Sequence, residues 1–183
     1  MNRDESLSLL KKHVGKVNLL KHMYAVEAIM LETADFLNED KQRWAFIGLI
    51  HDIDFEKTEN NPESHTLLAE EMLSGHVDNE VIKIIKTHNF EHTKIMPQEK
   101  IEKALIAADA ISGLVIASAL IIPSKKLADV KVESIGKKFK QKDFARNCSR
   151  ESILFCEQIG IPKEKFFELS LRALQKVSDE LGL

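Results

Sequence analysis

The sequence predicts an all-α fold, with the whole chain, residues 1–183, forming a single helical domain. Glycine and proline together supply only 11 of the 183 residues. So few chain-breaking residues disfavour a β-sandwich or β-barrel, which needs many turns. Apolar residues recur with helical spacing along most of the chain, and no segment alternates in the manner of a strand. With 44% hydrophobic residues, a chain of this length can bury a core of its own.

The helices of the first half are predicted from apolar periodicity and from residues that favour helix ends. A short opening helix precedes a second one, which Asn18 is expected to cap. Asp40 caps a third helix, and Ser64 and Asp78 are expected to begin the two helices that follow. Residues 53–64 interrupt the pattern and contain an Asn-Asn-Pro sequence, so they are predicted as a loop.

A long apolar helix dominates the second half and covers residues 104–122. A second loop, at 90–97, precedes it, and a lysine-rich stretch at 124–142 follows it. Two further amphipathic helices are predicted within 144–159 and 166–177.

The apolar helix is nearly long enough to span a bilayer, but its composition argues against that role. It is rich in small residues and is flanked by charges on both sides. Asp109 lies near its centre, and an aspartate there costs about 2.5–3.5 kcal/mol on membrane-insertion scales. We therefore expect a buried central helix and no membrane partner.

Charge and cysteine content suggest a cytoplasmic protein that does not bind nucleic-acid polymers. The formal net charge is −3, so the chain has no overall positive charge of the kind that favours binding to DNA or RNA. A local basic cluster would still suffice to bind a small anionic ligand. The two cysteines, Cys148 and Cys156, have no metal-ligand spacing and are expected to stay reduced. The N-terminus is charged throughout and has no apolar signal core.

The dipeptide His51-Asp52 is the first candidate for chemistry. It follows an apolar run at a predicted helix end. A buried, charged aspartate needs a compensating cation. An imidazole and a carboxylate together form a mixed nitrogen and oxygen ligand set suited to Fe, Mn, Co, Ni or Zn.

Together with His22 and with Asp109 in Ala107-Ala108-Asp109-Ala110, this dipeptide resembles the H…HD…D signature of the HD-domain metal-dependent phosphohydrolases. The resemblance implies an HD-domain helical bundle, with its core at about residues 18–118 and additional C-terminal helices at about 124–183. It also implies a metal core of His22, His51, Asp52 and Asp109. The alternative for Asp109 is a hydrogen bond to a neighbouring helix.

His65 and His88 match, in order, the longer H…HD…H…H…D pattern of two-metal members of the superfamily. That pattern occurs in the dinucleoside-polyphosphate hydrolase, cyclic-dinucleotide phosphodiesterase and diiron oxygenase branches, and it implies that Asp52 bridges two ions. Alternatively, both histidines lie beside a single metal and either support its ligands or contact phosphate. His92 is interpreted either as a substrate contact or as a solvent-facing residue.

The segment after the dipeptide departs from the HD-I-G-K sequence common in the family, because the glycine position is Asp54 and the lysine, Lys57, comes two residues late. Asp54 or Glu56 is expected to orient water or protonate a leaving group, and Lys57 to bind phosphate. The alternative is that all three are solvated loop charges. Lys125 and Lys126 belong to a basic stretch that is expected to steer or bind an anionic substrate, unless it is a solvated face.

The resemblance therefore implies a metal-dependent phosphohydrolase that acts on a nucleotide or another small phosphate ester through metal-activated water. One or two divalent ions are expected, either a transition metal (Fe, Mn, Co, Ni or Zn) or Mg. Two alternatives remain open: a diiron oxygenase on the same ligand set, and a nucleotide-sensing module without turnover. A homo-oligomer is compatible with either function.

Overall fold

The computed structural model describes residues 1–183 and confirms the all-α fold, since every regular element in it is a helix. A single 3₁₀ turn, Leu127–Asp129, lies between α8 and α9. The helices, in chain order, are α1 Arg3–His13, α2 Val17–Leu37, α3 Lys41–Ile50, α4 Phe55–Thr58, α5 Leu67–Leu73, α6 Asn79–His88, α7 Phe90–Thr93, α8 Lys100–Leu120, α9 Val132–Lys140, α10 Arg150–Ile153, α11 Phe155–Gln158, α12 Lys163–Lys176 and α13 Ser178–Leu181.

The two longest helices, α2 and α8, pack against each other in the centre of the bundle. One continuous cluster of buried apolar side chains joins them to α3, α6 and α12. Its members include Ile29 of α2, Ile111 of α8 and Phe166 of α12, all fully buried. The C-terminal helices therefore share the core of the preceding helices.

Helix α8 is the one helix long and apolar enough to cross a membrane by length and composition, but 61% of its apolar window is buried. The surrounding helices cover it on several sides, as expected for the central helix of a bundle.

A glycine sets the close approach of α2 and α3. A Cβ at Gly48 would lie 2.9 Å from the carbonyl oxygen of Val26, closer than any side chain tolerates. His51 follows Gly48 by one helical turn, and His22 precedes Val26 by one turn. The crossing therefore brings these two imidazoles together, with ring centroids 5.2 Å apart.

Several helix ends differ from the sequence prediction. Asn18 lies inside α2 and does not cap it, because the helix begins one residue earlier. Helix α5 begins after Thr66, so Ser64 is not its cap. Asp40 and Asp78 do cap α3 and α6, each accepting hydrogen bonds from backbone amides of the first turn.

Short helices occupy three segments for which none was predicted. The two predicted loops each contain a single helical turn, α4 and α7. The lysine-rich stretch contains α9, whose lysines extend outward while Ile135 enters the core. The predicted helix within 144–159 is instead a turn-rich segment followed by α10 and α11.

Candidate metal centre

The six residues predicted as metal ligands converge although they come from separate parts of the chain. His22 and Asp109 lie in the middle of α2 and α8, and His88 is the last residue of α6. His51 and Asp52 follow α3, and His65 lies just before α5. Five of the six, all except His51, line one cavity of about 520 Å³, here called the metal cavity.

Asp52 is the centre of this group. Its Oδ1 atom lies 3.5 Å from Nε2 of His51 and 3.3 Å from Nε2 of both His65 and His88. Its Oδ2 atom lies 3.5 Å from Nε2 of His22. Four imidazoles thus direct the same ring nitrogen towards one carboxylate.

These side chains form two compact groups whose potential ligand atoms lie within 4.8 Å of one another. The first contains His22 and His51, the second contains His65 and His88, and Asp52 belongs to both. Asp109 adjoins the first group, because its Oδ1 atom lies 3.1 Å from Nε2 of His22.

The other nitrogen of each imidazole is held by an oxygen atom outside the cavity, which orients the ring. For three of the rings, the Nδ1 contacts are Gly48 O at 2.8 Å for His51, Asp54 Oδ1 at 2.9 Å for His65, and Ile85 O at 2.6 Å for His88. Because carbonyl and carboxylate oxygens only accept, each Nδ1 carries a hydrogen, and Nε2 is the nitrogen that each ring offers to a metal.

His22 reaches the same tautomer through a hydroxyl group. Ser112 donates its hydroxyl hydrogen to the carbonyl oxygen of Asp109 at 2.8 Å. Its oxygen is therefore free to accept a hydrogen bond from Nδ1 of His22, 3.2 Å away. One turn of α8 thus supplies both a carboxylate for the cavity and the group that orients its neighbouring imidazole.

Two observations show that this ligand set fits a cation. The Nε2 atom of His51 is buried and has no hydrogen-bond partner, an arrangement that is costly unless something binds there. The Nε2 atoms of His65 and His88 lie only 2.9 Å apart, and two lone pairs at that distance need a proton or a metal between them. The cluster can therefore hold a divalent metal, as mixed imidazole and carboxylate sites do.

The charge states agree with this assignment. Burial lowers the pKa of His51 to about 4, so its imidazole is neutral at physiological pH. Burial acts to raise the pKa of Asp52, but His51, His65 and the other imidazoles outweigh it and hold that pKa well below its usual range. An ionised Asp52 beside a neutral His51 is the protonation state that metal binding requires.

His65 has the most perturbed imidazole. Burial lowers its pKa, but hydrogen bonds with Asp52 and Asp54 outweigh that effect and raise the pKa to about 10. In the metal-free protein a proton is therefore held at the second group. A metal bound to Nε2 would displace it, which couples metal binding to proton release.

Asp54 does not enter the cavity, contrary to the expectation that it orients water or protonates a leaving group. Its carboxylate is fully buried and accepts hydrogen bonds from Nδ1 of His65 at 2.9 Å and from the backbone amides of Thr66 and Ala69 at 2.7 and 3.1 Å. It thus fixes His65 and the start of α5 from behind. The glycine position of the family sequence is occupied here by a positioning carboxylate.

Glu56 is also turned away from the cavity. Its carboxylate accepts hydrogen bonds from the backbone amides of Gly15 and Lys16 at 2.8 and 2.9 Å. These contacts tie the one-turn helix α4 to the connection between α1 and α2. The predicted catalytic role for Glu56 therefore finds no support in its position.

None of the predicted substrate-binding residues lines the metal cavity. Lys57 and His92 are exposed on the one-turn helices α4 and α7. Lys125 and Lys126 are exposed beyond the end of α8, where Leu120 already lies eleven residues, or about 17 Å along the helix, past Asp109. Their predicted role in substrate binding therefore finds no support in their positions, because charge content does not report which way a surface turn faces.

The cavity wall contains polar residues that carry no sequence motif. Asn89, directly after His88, donates from its side-chain amide to the carbonyl oxygens of Pro62 and His65 at 2.9 and 3.0 Å. It joins the end of α6 to the loop that carries His65. Lys16 also lines the cavity and is paired with Glu59 at 2.6 Å.

Comparison with known proteins places this geometry in a family. A family model described as HD domain matches residues 19–114, just over half of the chain, and this range contains all six candidate ligands. A search of solved structures finds no significant match. The extent of the family match and the convergence of its signature residues lead to one conclusion: the chain belongs to the HD-domain superfamily of metal-dependent phosphohydrolases.

Proposed function

We propose that this protein is a metal-dependent phosphohydrolase acting on a nucleotide or another small phosphate ester. The observation that carries the proposal is the arrangement of four Nε2 atoms around Asp52, with that of His51 buried and unpartnered. Such a set leaves the protein with donor atoms that only a cation or a proton satisfies.

The first ion would be held by His22, His51, Asp52 and Asp109, and a second ion by Asp52, His65 and His88. A bound divalent metal lowers the pKa of coordinated water towards about 7 and polarises a phosphoryl oxygen. The donor set is richer in imidazole than Mg prefers, so we propose Fe, Mn, Co, Ni or Zn as the resident metal.

The chain's own groups prepare the site for an anionic substrate. Asp109 is 38% exposed and lies where the cavity meets solvent. Lys16 and Asn18 line the same cavity and offer donors that suit phosphoryl oxygens. The buried hydrogen bonds behind His51 and His65 hold those rings still, so little reorganisation is needed when substrate binds.

The test is phosphate release from a panel of nucleotides, dinucleotides and simple phosphate esters by protein loaded with each of these metals. We expect turnover with at least one metal, its loss in His51→Ala, and its retention in His76→Ala, which removes an exposed imidazole outside the cavity. Absence of turnover with every metal, together with unchanged metal content in His51→Ala, would contradict the proposal.

A diiron oxygenase is the second candidate, because two ligand groups that share one carboxylate also suit a pair of iron ions. Metal analysis of protein purified without air separates the two functions. Two irons per chain and oxygen-dependent product formation favour the oxygenase, whereas one non-iron ion per chain excludes it.

A further inference from the structure

A second cavity of about 260 Å³ adjoins the metal centre on its other side. It shares His22 and Asp109 with the metal cavity. The opposite wall is formed by Asn147, Cys148, Ser149 and Ser152. This wall lies outside residues 19–114, the range that matches the HD domain. We call it the serine cavity.

A single arginine holds this wall in shape. The guanidinium of Arg150 donates to six backbone carbonyl oxygens, which is an unusual concentration of hydrogen bonds on one side chain. The acceptors are the carbonyls of Lys138, Phe139, Gln141, Phe144, Ala145 and Cys148, at 2.5 to 3.3 Å. The irregular segment between α9 and α10 therefore has a defined conformation.

The wall lies directly on α8 beside the metal centre. A Cβ at Gly113 would lie 2.7 Å from Sγ of Cys148, so only glycine permits this approach. Gly113 follows Asp109 by four residues, one turn along the same face of the helix. The wall of the serine cavity therefore lies one helical turn from Asp109, which lines both cavities.

The lining of the serine cavity is polar but uncharged beyond the shared His22 and Asp109. The exposed side-chain amide of Asn147 makes no hydrogen bond within the protein, so it is free to bind a ligand. The hydroxyls of Ser149 and Ser152 bond to each other at 2.9 Å and retain capacity for another partner. The guanidinium of Arg150, which holds this wall, is committed to carbonyl oxygens. The uncharged groups of the lining suit ligand hydroxyls.

We propose that the serine cavity binds the uncharged, hydroxyl-bearing part of the substrate, a sugar or the ribose of a nucleotide, while its phosphate lies at the metal centre. At about 30 Å³ per water-sized group, the cavity has room for roughly nine such groups, close to a pentose with its hydroxyls. This inference rests on the proposed phosphohydrolase function and adds the substrate class.

Two non-hydrolysable probes test the inference by calorimetric binding to metal-loaded protein. Methylphosphonate presents only the phosphoryl group, whereas the phosphonate analogue of ribose 5-phosphate adds the pentose. We expect the sugar phosphonate to bind wild-type protein at least tenfold more tightly than methylphosphonate. A change at the metal alters both affinities alike, so the ratio of the two affinities reports on the serine cavity.

Ser152→Leu fills the cavity and should reduce that ratio at least fivefold, and Asn147→Ala should reduce it about threefold. Asn147 is exposed, so its truncation tests the inference even if the leucine variant folds poorly, which a melting curve would reveal. Ser124→Leu makes the same change at an exposed serine outside both cavities and should leave the ratio unchanged.

The outcomes separate this inference from the function on which it rests. If both probes bind but their ratio is near one, or is the same in all variants, the serine cavity is not a substrate site and the phosphohydrolase proposal stands. If neither probe binds the metal-loaded wild-type protein, both proposals are overturned.

Discussion

Two cavities of nearly equal volume lie on different sides of α2, and they differ in how their polar atoms are satisfied. The metal cavity measures about 520 Å³. The other, here called the apolar cavity, measures about 510 Å³ and is lined by α2, α3, α12 and the N-terminus. In the apolar cavity charges pair with each other: Arg3 lies 2.7 Å from Glu27, and Lys176 is paired with Glu32.

In the metal cavity, by contrast, the donor atoms are left facing one another around Asp52. Neither volume nor charge content therefore distinguishes the metal cavity from the apolar cavity. The distinguishing feature of the metal cavity is a set of oriented lone pairs that have no partner within the protein.

The strongest test of this difference truncates one buried candidate ligand of the metal centre and one buried residue of the apolar cavity. His51→Ala should weaken metal binding by more than about 100-fold, beyond the usual effect of losing a hydrogen-bond partner of a ligand. Leu49→Ala, two residues earlier and lining the apolar cavity, should lower the free energy of unfolding by about 2–5 kcal/mol and leave metal affinity unchanged. Calorimetric metal titration and urea unfolding measure the two effects. Equal metal affinity in the two variants would contradict the proposed difference between the metal cavity and the apolar cavity.

Metal removal should destabilise the protein through the metal cavity alone. At a hundredfold excess over its dissociation constant, a ligand that binds only the folded state adds about 2.7 kcal/mol. For a chain of this length that corresponds to a shift in Tm of about 5–10 °C. A chelator should therefore lower Tm by that amount in wild type and have no effect in His51→Ala. A chelator-independent Tm would show that no metal is bound.

Asp54→Asn separates the role of positioning from the role of ligation. The amide cannot accept from His65, Thr66 and Ala69 as the carboxylate does. Metal affinity should fall about 10- to 100-fold, with the loss confined to the ion held by His65 and His88. Metal content per chain, measured across a concentration series, would show one ion bound before the other. A uniform loss of both ions would argue for a general folding defect instead.

The ion pairs of the apolar cavity should affect stability and not activity. Burial raises the pKa of Glu32, but hydrogen bonds from Lys176 and Arg172 outweigh it and lower that pKa below 4.5. A carboxyl whose folded pKa is depressed stabilises the protein above its unfolded pKa and loses that contribution as the pH falls through the folded value.

Glu32→Gln should therefore cost about 1–2 kcal/mol at pH 7, because its partner cations remain partly solvated. At pH 3 the difference between the variant and wild type should be smaller. Urea unfolding at both pH values measures this, and kcat should be unchanged. A difference that grows at low pH would contradict the ion-pair assignment.

The smallest effect is expected for Lys125→Ala and Lys126→Ala. These lysines lie farther from the metal cavity than the Debye length, which is about 8 Å at physiological salt. Their kcat/KM at 0.15 M salt should differ from wild type by less than twofold. A larger loss would restore the sequence-based expectation for this basic stretch.

The fold was accessible from the sequence because helical periodicity reports burial directly. Two of the site's features are also visible locally: Asp109 is the one charge in the apolar run 104–122, and His51-Asp52 is a polar pair that ends an apolar run. The full set of six converging residues came from the resemblance to the HD-domain signature. Their helical settings then place them on facing elements of a bundle.

For the rest of the site, the tertiary fold decides which way each side chain points, and residue spacing in the sequence does not report this. Asp54 and Glu56 are similar carboxylates two residues apart, yet one is buried behind His65 and the other binds the connection between α1 and α2. The turn of α4 between them decides this. Asn89, Asn147 and Ser152 belong to no motif, and only the folded chain brings them to the two cavities.

The hydrogen bonds of Arg150 have a consequence for how such a protein changes over evolutionary time. All six acceptors lie within residues 138–148 of the same chain segment, so local hydrogen bonds determine the conformation of this segment. Insertions or substitutions there can remodel the wall beside the metal centre without disturbing the histidines opposite. If the serine cavity binds substrate as proposed, the chemistry and the selectivity of the protein reside in different parts of the chain, and this segment is a natural unit for exchange in protein engineering.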